Sequence, residues 1–218
     1  MKSKVLMLCL VAGVHSWSLW GDSSRIEPHE DVSQECRQAA AHGDCEFYRC
    51  LERRFPCGHD GYALNIGLHF CTRADELHSQ FTAQGKLFMN GSKTCVTSTL
   101  LPVYESYSAR CGDIEEDGAN AMRSCSYNEY GGMSSCTFIR SNMDVYNQML
   151  GVDEVSRLMG LGNARLLARI FVDGARCGAT VASERFLLLG GTINNFLGSV
   201  WESAGDFADG VSSWWGNL

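Results

Sequence analysis

Ten cysteines lie between positions 36 and 177, at Cys36, Cys45, Cys50, Cys57, Cys71, Cys95, Cys111, Cys125, Cys136 and Cys177, and they constrain this 218-residue chain more than any other feature. An even number of thiols in an exported chain forms a disulfide framework, whereas in the cytosol the same residues would stay reduced and serve metals or catalysis. No spacing is C-x-x-C, which argues against a zinc ribbon and against a thioredoxin-like redox site. The eleventh cysteine, Cys9, falls in a stretch with the marks of an export signal. Lys2 and Lys4 begin it, Val5 to Val14 is apolar but too short to span a bilayer, and Ser16-Trp17-Ser18 offers small residues for cleavage after Ser16 or Ser18.

The expected organisation is a signal peptide over 1–18, a flexible leader over 19–30, a disulfide-rich helical domain over 31–182 and an amphipathic tail over 183–218. No later segment is apolar for long enough to form a membrane span, so secretion into the extracellular space is expected. The whole chain carries 18 Lys and Arg against 25 Asp and Glu; without the two signal lysines, 16 against 25 leaves a net charge of −9. Phosphate neutralisation needs a concentrated basic face, and the densest basic spot is only Arg53-Arg54, so no nucleic-acid partner is expected. About 200 residues remain after signal removal, ample for a buried core.

Apolar residues recur every three or four positions through most of the cysteine region, and prolines are confined to 28, 56 and 102, which predicts an all-α fold. Asp31 with Gln34 resembles a capping box that opens a helix carrying Val32, Cys36, Ala39 and Ala40 on one face, with Gly43 as its stop. Asp44 is placed to cap the next helix, which carries Phe47 and Leu51 and stops at Pro56. Thr72 and Asp75 read as a further cap before Leu77, Phe81 and Phe88. Ser92 is expected to start a long stripe through Val96, Thr99, Leu100, Val103, Tyr107 and Cys111, with Pro102 as a kink. A last stripe, Ala164, Leu167, Ala168, Phe171 and Ala175, leads to Cys177. Bridges would then staple helix to helix.

Gly112 to Gly118 places four carboxylates in five positions, a density that suggests calcium. The EF-hand alternation of ligands and its distal glutamate are missing, so a solvated acidic turn is the reading, and no metal or cofactor is assigned. Asn90-Gly91-Ser92 is a glycosylation sequon expected between two helices.

Several of these features together resemble the stanniocalcins, a family of secreted helical glycoprotein hormones, from about Cys36 to Cys177. Between Cys71 and Cys95 lie 23 residues that include Phe81-Thr82-Ala83-Gln84-Gly85-Lys86-Leu87-Phe88, similar to the family's F-x-x-Q-G-K-x-F segment. The gaps of 15 residues to Cys111 and 13 to Cys125, and of eight and four between Cys36, Cys45 and Cys50, are also similar, as is Asp60-Gly61-Tyr62. Spacing does not choose among connectivities. The resemblance implies Cys36 to Cys50, Cys45 to Cys71, Cys57 to Cys111, Cys95 to Cys125 and Cys136 to Cys177.

Three departures stand out. The gaps from Cys57 to Cys71 and from Cys125 to Cys136 are longer than in the family, implying bigger loops. The family's usual sequon before the fourth cysteine is replaced by Glu52-Arg53-Arg54-Phe55-Pro56. The family's extra cysteine near the C-terminus, which links two chains, has no counterpart after Cys177. The tail offers a substitute seam for self-association, with apolar residues at heptad-like gaps: Ile193, Leu197, Val200, Ala204, Phe207, Val211, Trp214 and Leu218. Six glycines between 190 and 216 each weaken a helix by about 1 kcal/mol, so this tail needs a surface to fold upon: its own domain, a second copy in a non-covalent homodimer, or a membrane. Glu202, Asp206 and Asp209, with no Lys or Arg past Arg185, count against anionic lipid.

Cys57-Gly58-His59-Asp60-Gly61-Tyr62 faintly resembles the histidine-aspartate helix of secreted phospholipases A2, but Gly43-Asp44-Cys45-Glu46 supplies no glycine-rich calcium loop. His42, His69 and His78 have no H-E-x-x-H spacing, and Gly21-Asp22-Ser23-Ser24 is no strand-to-helix nucleophile turn. The expectation is a non-enzymatic secreted hormone-like ligand of a cell-surface or extracellular protein, with calcium and phosphate homeostasis as the family theme. A phospholipase A2-like hydrolase and a secreted lipid-binding or structural protein are the alternatives.

Overall fold

The computed structural model of the chain describes residues 24–149 and Cys177. Along them run α1 (Gln34–His42), α2 (Glu46–Arg54), a π-helical segment (Ala63–Leu68) continuous with α3 (His69–Glu76), a 3-10 turn (His78–Gln80), α4 (Ala83–Glu105), α5 (Cys111–Ser126), α6 (Ser135–Ser141) and α7 (Met143–Met149). Among the described residues β-structure is limited to two isolated bridges, Ile26 with Ala109 and Tyr130 with Met133, so the fold is all-α.

The starts of α1, α4 and α6 follow side-chain oxygens, of Ser33, Thr82 and Ser134, that accept from orphan N–H groups. Ser33 caps α1 by accepting from Cys36 N at 3.1 Å, so the cap is Ser33 and the expected role of Asp31 is corrected. Gly43 ends α1 with φ of 69°, the left-handed conformation that glycine adopts at no steric cost. Asp44 Oδ1 accepts from Glu46 N at 2.9 Å just before α2, but the cap position is Cys45, whose side chain makes no capping bond, so the expected role of Asp44 is also corrected. Thr72 and Asp75 start nothing: they lie inside α3, whose face is set by buried Cys71 and Ala74. The helix that carries Phe88 begins at Thr82, whose hydroxyl accepts from Gly85 N at 3.0 Å.

The 23-residue α4 is the spine, about 35 Å long at helical rise. It is longer than expected, because Asn90, Gly91 and Ser92 lie within it rather than between helices; Pro102 also lies inside it. Its C-terminal half contributes Val96, Leu100 and Tyr104 to a core with Ala40, Phe47, Leu51, Ile66, Ile114 and Ala121. Its N-terminal half contributes Phe88 to a second core with Leu77, Phe81, Met133, Phe138, Ile139, Val145 and Cys177. Hydroxyls on α4 also finish α1: Thr97 Oγ1 donates to Ala40 O at 2.6 Å, and Ser98 Oγ donates to the same carbonyl at 3.3 Å.

Five disulfides join these elements: Cys36–Cys50 (α1 to α2), Cys45–Cys71 (the head of α2 to α3), Cys57–Cys111 (the α2 exit to α5), Cys95–Cys125 (α4 to α5) and Cys136–Cys177 in the second core. These are the pairs that the resemblance implies.

Three further expectations change. The described part of the leader is held rather than free: Ile26 exchanges backbone hydrogen bonds with Ala109 (2.7 and 3.0 Å), and His29 N donates to Arg54 O at 2.9 Å. The acidic segment after Cys111 is not a turn but the first half of α5, whose inward residues Ile114, Gly118, Ala121 and Cys125 are buried at helical spacing. Much of the long Cys57–Cys71 gap is π-helix and α3 rather than loop, whereas the Cys125–Cys136 gap holds a tight turn with Gly131 and Gly132 at φ of 60° and 72°. The expected 164–175 stripe and the 183–218 tail, with its seam from Ile193 to Trp214, lie outside the described residues.

Candidate functional site

The segment Phe81 to Phe88 works as a joint. Phe81 and Phe88 pack on the Phe138 ring of α6, with centroids 5.5 and 4.6 Å away, the latter stacked. Between them Gly85 makes room for the amide of buried Asn142: a Cβ there would lie 2.7 Å from its side-chain nitrogen and oxygen. Asn142 Oδ1 in turn accepts from Thr82 N at 2.8 Å, and its Nδ2 donates to Phe138 O at 3.0 Å. The segment therefore serves packing; Gln84 and Leu87 face outward from it.

A similar logic surrounds Asp60-Gly61-Tyr62. The Tyr62 ring is buried against Gly118 of α5, where a Cβ would come within 2.1 Å of Cζ. Tyr48 lies over Gly67 in the same way, and the two rings meet edge to face with centroids 6.4 Å apart. Burial pushes both phenols well above their ordinary range, so neither is ionised near neutrality.

The residues weighed for catalysis do not converge. His59 Nδ1 is 3.5 Å from Asp60 Oδ1, with both side chains almost fully exposed (86% and 88%), where no low-dielectric pocket shapes them for acid-base work. His42 Nδ1 is 2.9 Å from Gln38 O, and His69 stands edge-on to Phe70. Cys45, Cys71 and Asp75 form the sole metal-like cluster among the described residues. Its two sulfurs are bonded to each other and its carboxylate pairs with Lys93, so it offers no thiolate to an ion.

Charge sits on surfaces rather than in a cleft. On α5, Asp113, Glu116, Asp117 and Asn120 share one exposed face at helical spacing. Asp113 receives Arg110 Nε at 2.9 Å. Partial burial raises the Glu115 carboxyl above its ordinary range, and Asp117 is raised by partial burial and then by Asp113 and Glu116. The Arg53-Arg54 pair is not a basic patch. Arg53 pairs with Glu46 at 2.8 Å and Glu30 at 3.4 Å, while Arg54 is 5% exposed, donates to the Glu30 and Ser106 carbonyls and lies over the Phe55 and Tyr104 rings. Arg54, Arg37, Glu105 and the almost fully exposed Tyr107 line a shallow groove of about 780 Å³ beside the docked leader. Asn90, the sequon asparagine, is exposed on α4.

The family model described as Stanniocalcin family matches residues 22–161, well over half of the 218. The chain belongs to the stanniocalcin family. No curated protein and no solved structure matches it significantly. Stanniocalcins are secreted glycoprotein hormones, and the family is not known for enzymes. The match runs across the first core, the Phe81–Phe88 joint and helices α6 and α7 of the second core, and it takes in both cysteines of four bridges. Among the described residues no helix is long and apolar enough to cross a membrane.

Proposed function

We propose that this stanniocalcin is a secreted hormone-like ligand that acts by binding an extracellular or cell-surface protein, in the regulation of calcium and phosphate balance, and not by catalysis. The observation that supports the reading is the family match over residues 22–161, which spans four of the five bridges and so the stapled framework that holds a charged, groove-bearing surface in place. The reading includes a glycan on Asn90. It assigns pairing of two copies to non-covalent contact along the tail seam, because Cys36 through Cys177 are all bonded within the chain.

The test uses the oxidised full chain, labelled and titrated onto intact cells. Saturable binding that vanishes after reduction is expected, and calcium-dependent lipid release abolished by His59→Gln would replace the reading with the hydrolase. Light scattering on the same samples reads the tail: deleting 191–218 should turn a dimer mass into a monomer mass.

A further inference from the structure

The sequon lies where a folded protein cannot use it. Asn90, Gly91 and Ser92 are interior residues of α4, and on a helix positions i and i+2 point away from each other, so the Asn90 amide and the Ser92 hydroxyl cannot meet as glycan transfer requires. The site is also clamped. The Tyr130 ring fills the place of a Gly91 Cβ, whose distance to Cδ1 would be 2.3 Å; Thr94 is pressed against Gly43; and Cys95 is bonded to Cys125.

The same stretch is a weak helix former. From Asn90 to Thr99 every residue except Lys93 is polar, β-branched, cysteine or glycine, types that rank low in helix propensity. The helix there depends on packing, and two of the groups that pack it, Cys125 and Tyr130, lie downstream in the chain.

Resting on the reading of Asn90 as glycosylated, we propose that the glycan is accepted only by the unfolded, reduced chain, and that closure of α4 by Tyr130 and the Cys95–Cys125 bridge ends the window. In the transfer, the Asn90 Nδ2 bonds to C1 of a polyprenyl-pyrophosphate-linked oligosaccharide; the C1–oxygen bond to the pyrophosphate breaks, and Nδ2 gives up one proton. Glycan occupancy thus records whether modification outran folding.

The test offers two forms of the full chain, made without glycan, to an oligosaccharyltransferase with that donor: the oxidised protein, and the protein after reduction and alkylation. Intact mass reads the product. The reduced form should be modified more than about tenfold faster, because access in the oxidised form requires local opening of α4. Asn90→Gln should accept nothing in either form. Equal rates would overturn the timing while leaving the site; transfer to neither form would overturn both.

Discussion

Glu115 shows how a single side chain can oppose the fold that contains it. It is half-buried on α5 and its carboxyl is raised by the loss of water around it. A carboxyl whose folded pKa exceeds its unfolded one favours the fold when protonated, and that contribution is lost as pH rises through the folded value. Glu115→Gln should therefore raise the melting temperature at pH 7, and the gain should shrink to nothing near pH 4, about the ordinary glutamate value, where wild-type Glu115 is itself protonated. Thermal melts at the two pH values, with exposed Glu116→Gln as reference, check this. Residue-level reasoning from sequence put Asp44 one residue before the true cap position of α2, Cys45, and for α1 chose Asp31 over Ser33. Both can accept hydrogen bonds, and what selects Ser33 is its own N–H, which donates to the Tyr104 hydroxyl at 3.1 Å from 71 positions away.

At the scale of elements, α4 is where sequence patterning and structure part most. Asn90-Gly91-Ser92 reads as a break, since each residue favours turns or loops. It is helical because Gly91 lets Tyr130 approach, a contact no local pattern encodes. The helix start moves to Thr82 accordingly. Thr82→Ala should destabilise the protein by about 1 kcal/mol through loss of the cap, whereas Ser92→Ala, at the position expected to start the stripe, should cost far less; denaturant unfolding distinguishes them. The acidic stretch of α5 was legible in retrospect, since Ile114, Gly118, Ala121 and Cys125 keep helical spacing. Two glycines and four carboxylates hid that stripe. Gly118 is tolerated there because Tyr62 occupies the space of its missing side chain, and Asp113 suits the positive end of the helix dipole.

Across the whole molecule, bridges link segments far apart in the chain, and their contribution should scale with the loops they close. Cys57–Cys111 spans 54 positions and Cys36–Cys50 spans 14. By the chain-entropy account the longer loop contributes about 4 kcal/mol and the shorter about 3 kcal/mol. Removing both cysteines of the 57–111 bridge should therefore lower the denaturant midpoint more than removing both of the 36–50 bridge. Two cores on one spine make this matter: α5 is tied to the first core by Cys57 and Cys95, so losing one tie leaves the other.

Residue pattern alone decided the fold class, the oxidised framework, the first two helices and the family, because these depend on composition, short-range periodicity and ordered cysteine spacing, all of which are local in the chain. Tertiary contact decided the rest: the uninterrupted α4, the helical acidic segment, the π-helical entry to α3 and the docked leader. In the first three a glycine that favours a turn by itself is overruled by a partner elsewhere in the chain, as Gly91 is by Tyr130, Gly118 by Tyr62 and Gly67 by Tyr48, and the leader is held by backbone bonds to Ala109 and Arg54. Burial of an aromatic ring outweighs the propensity of the small residue beneath it.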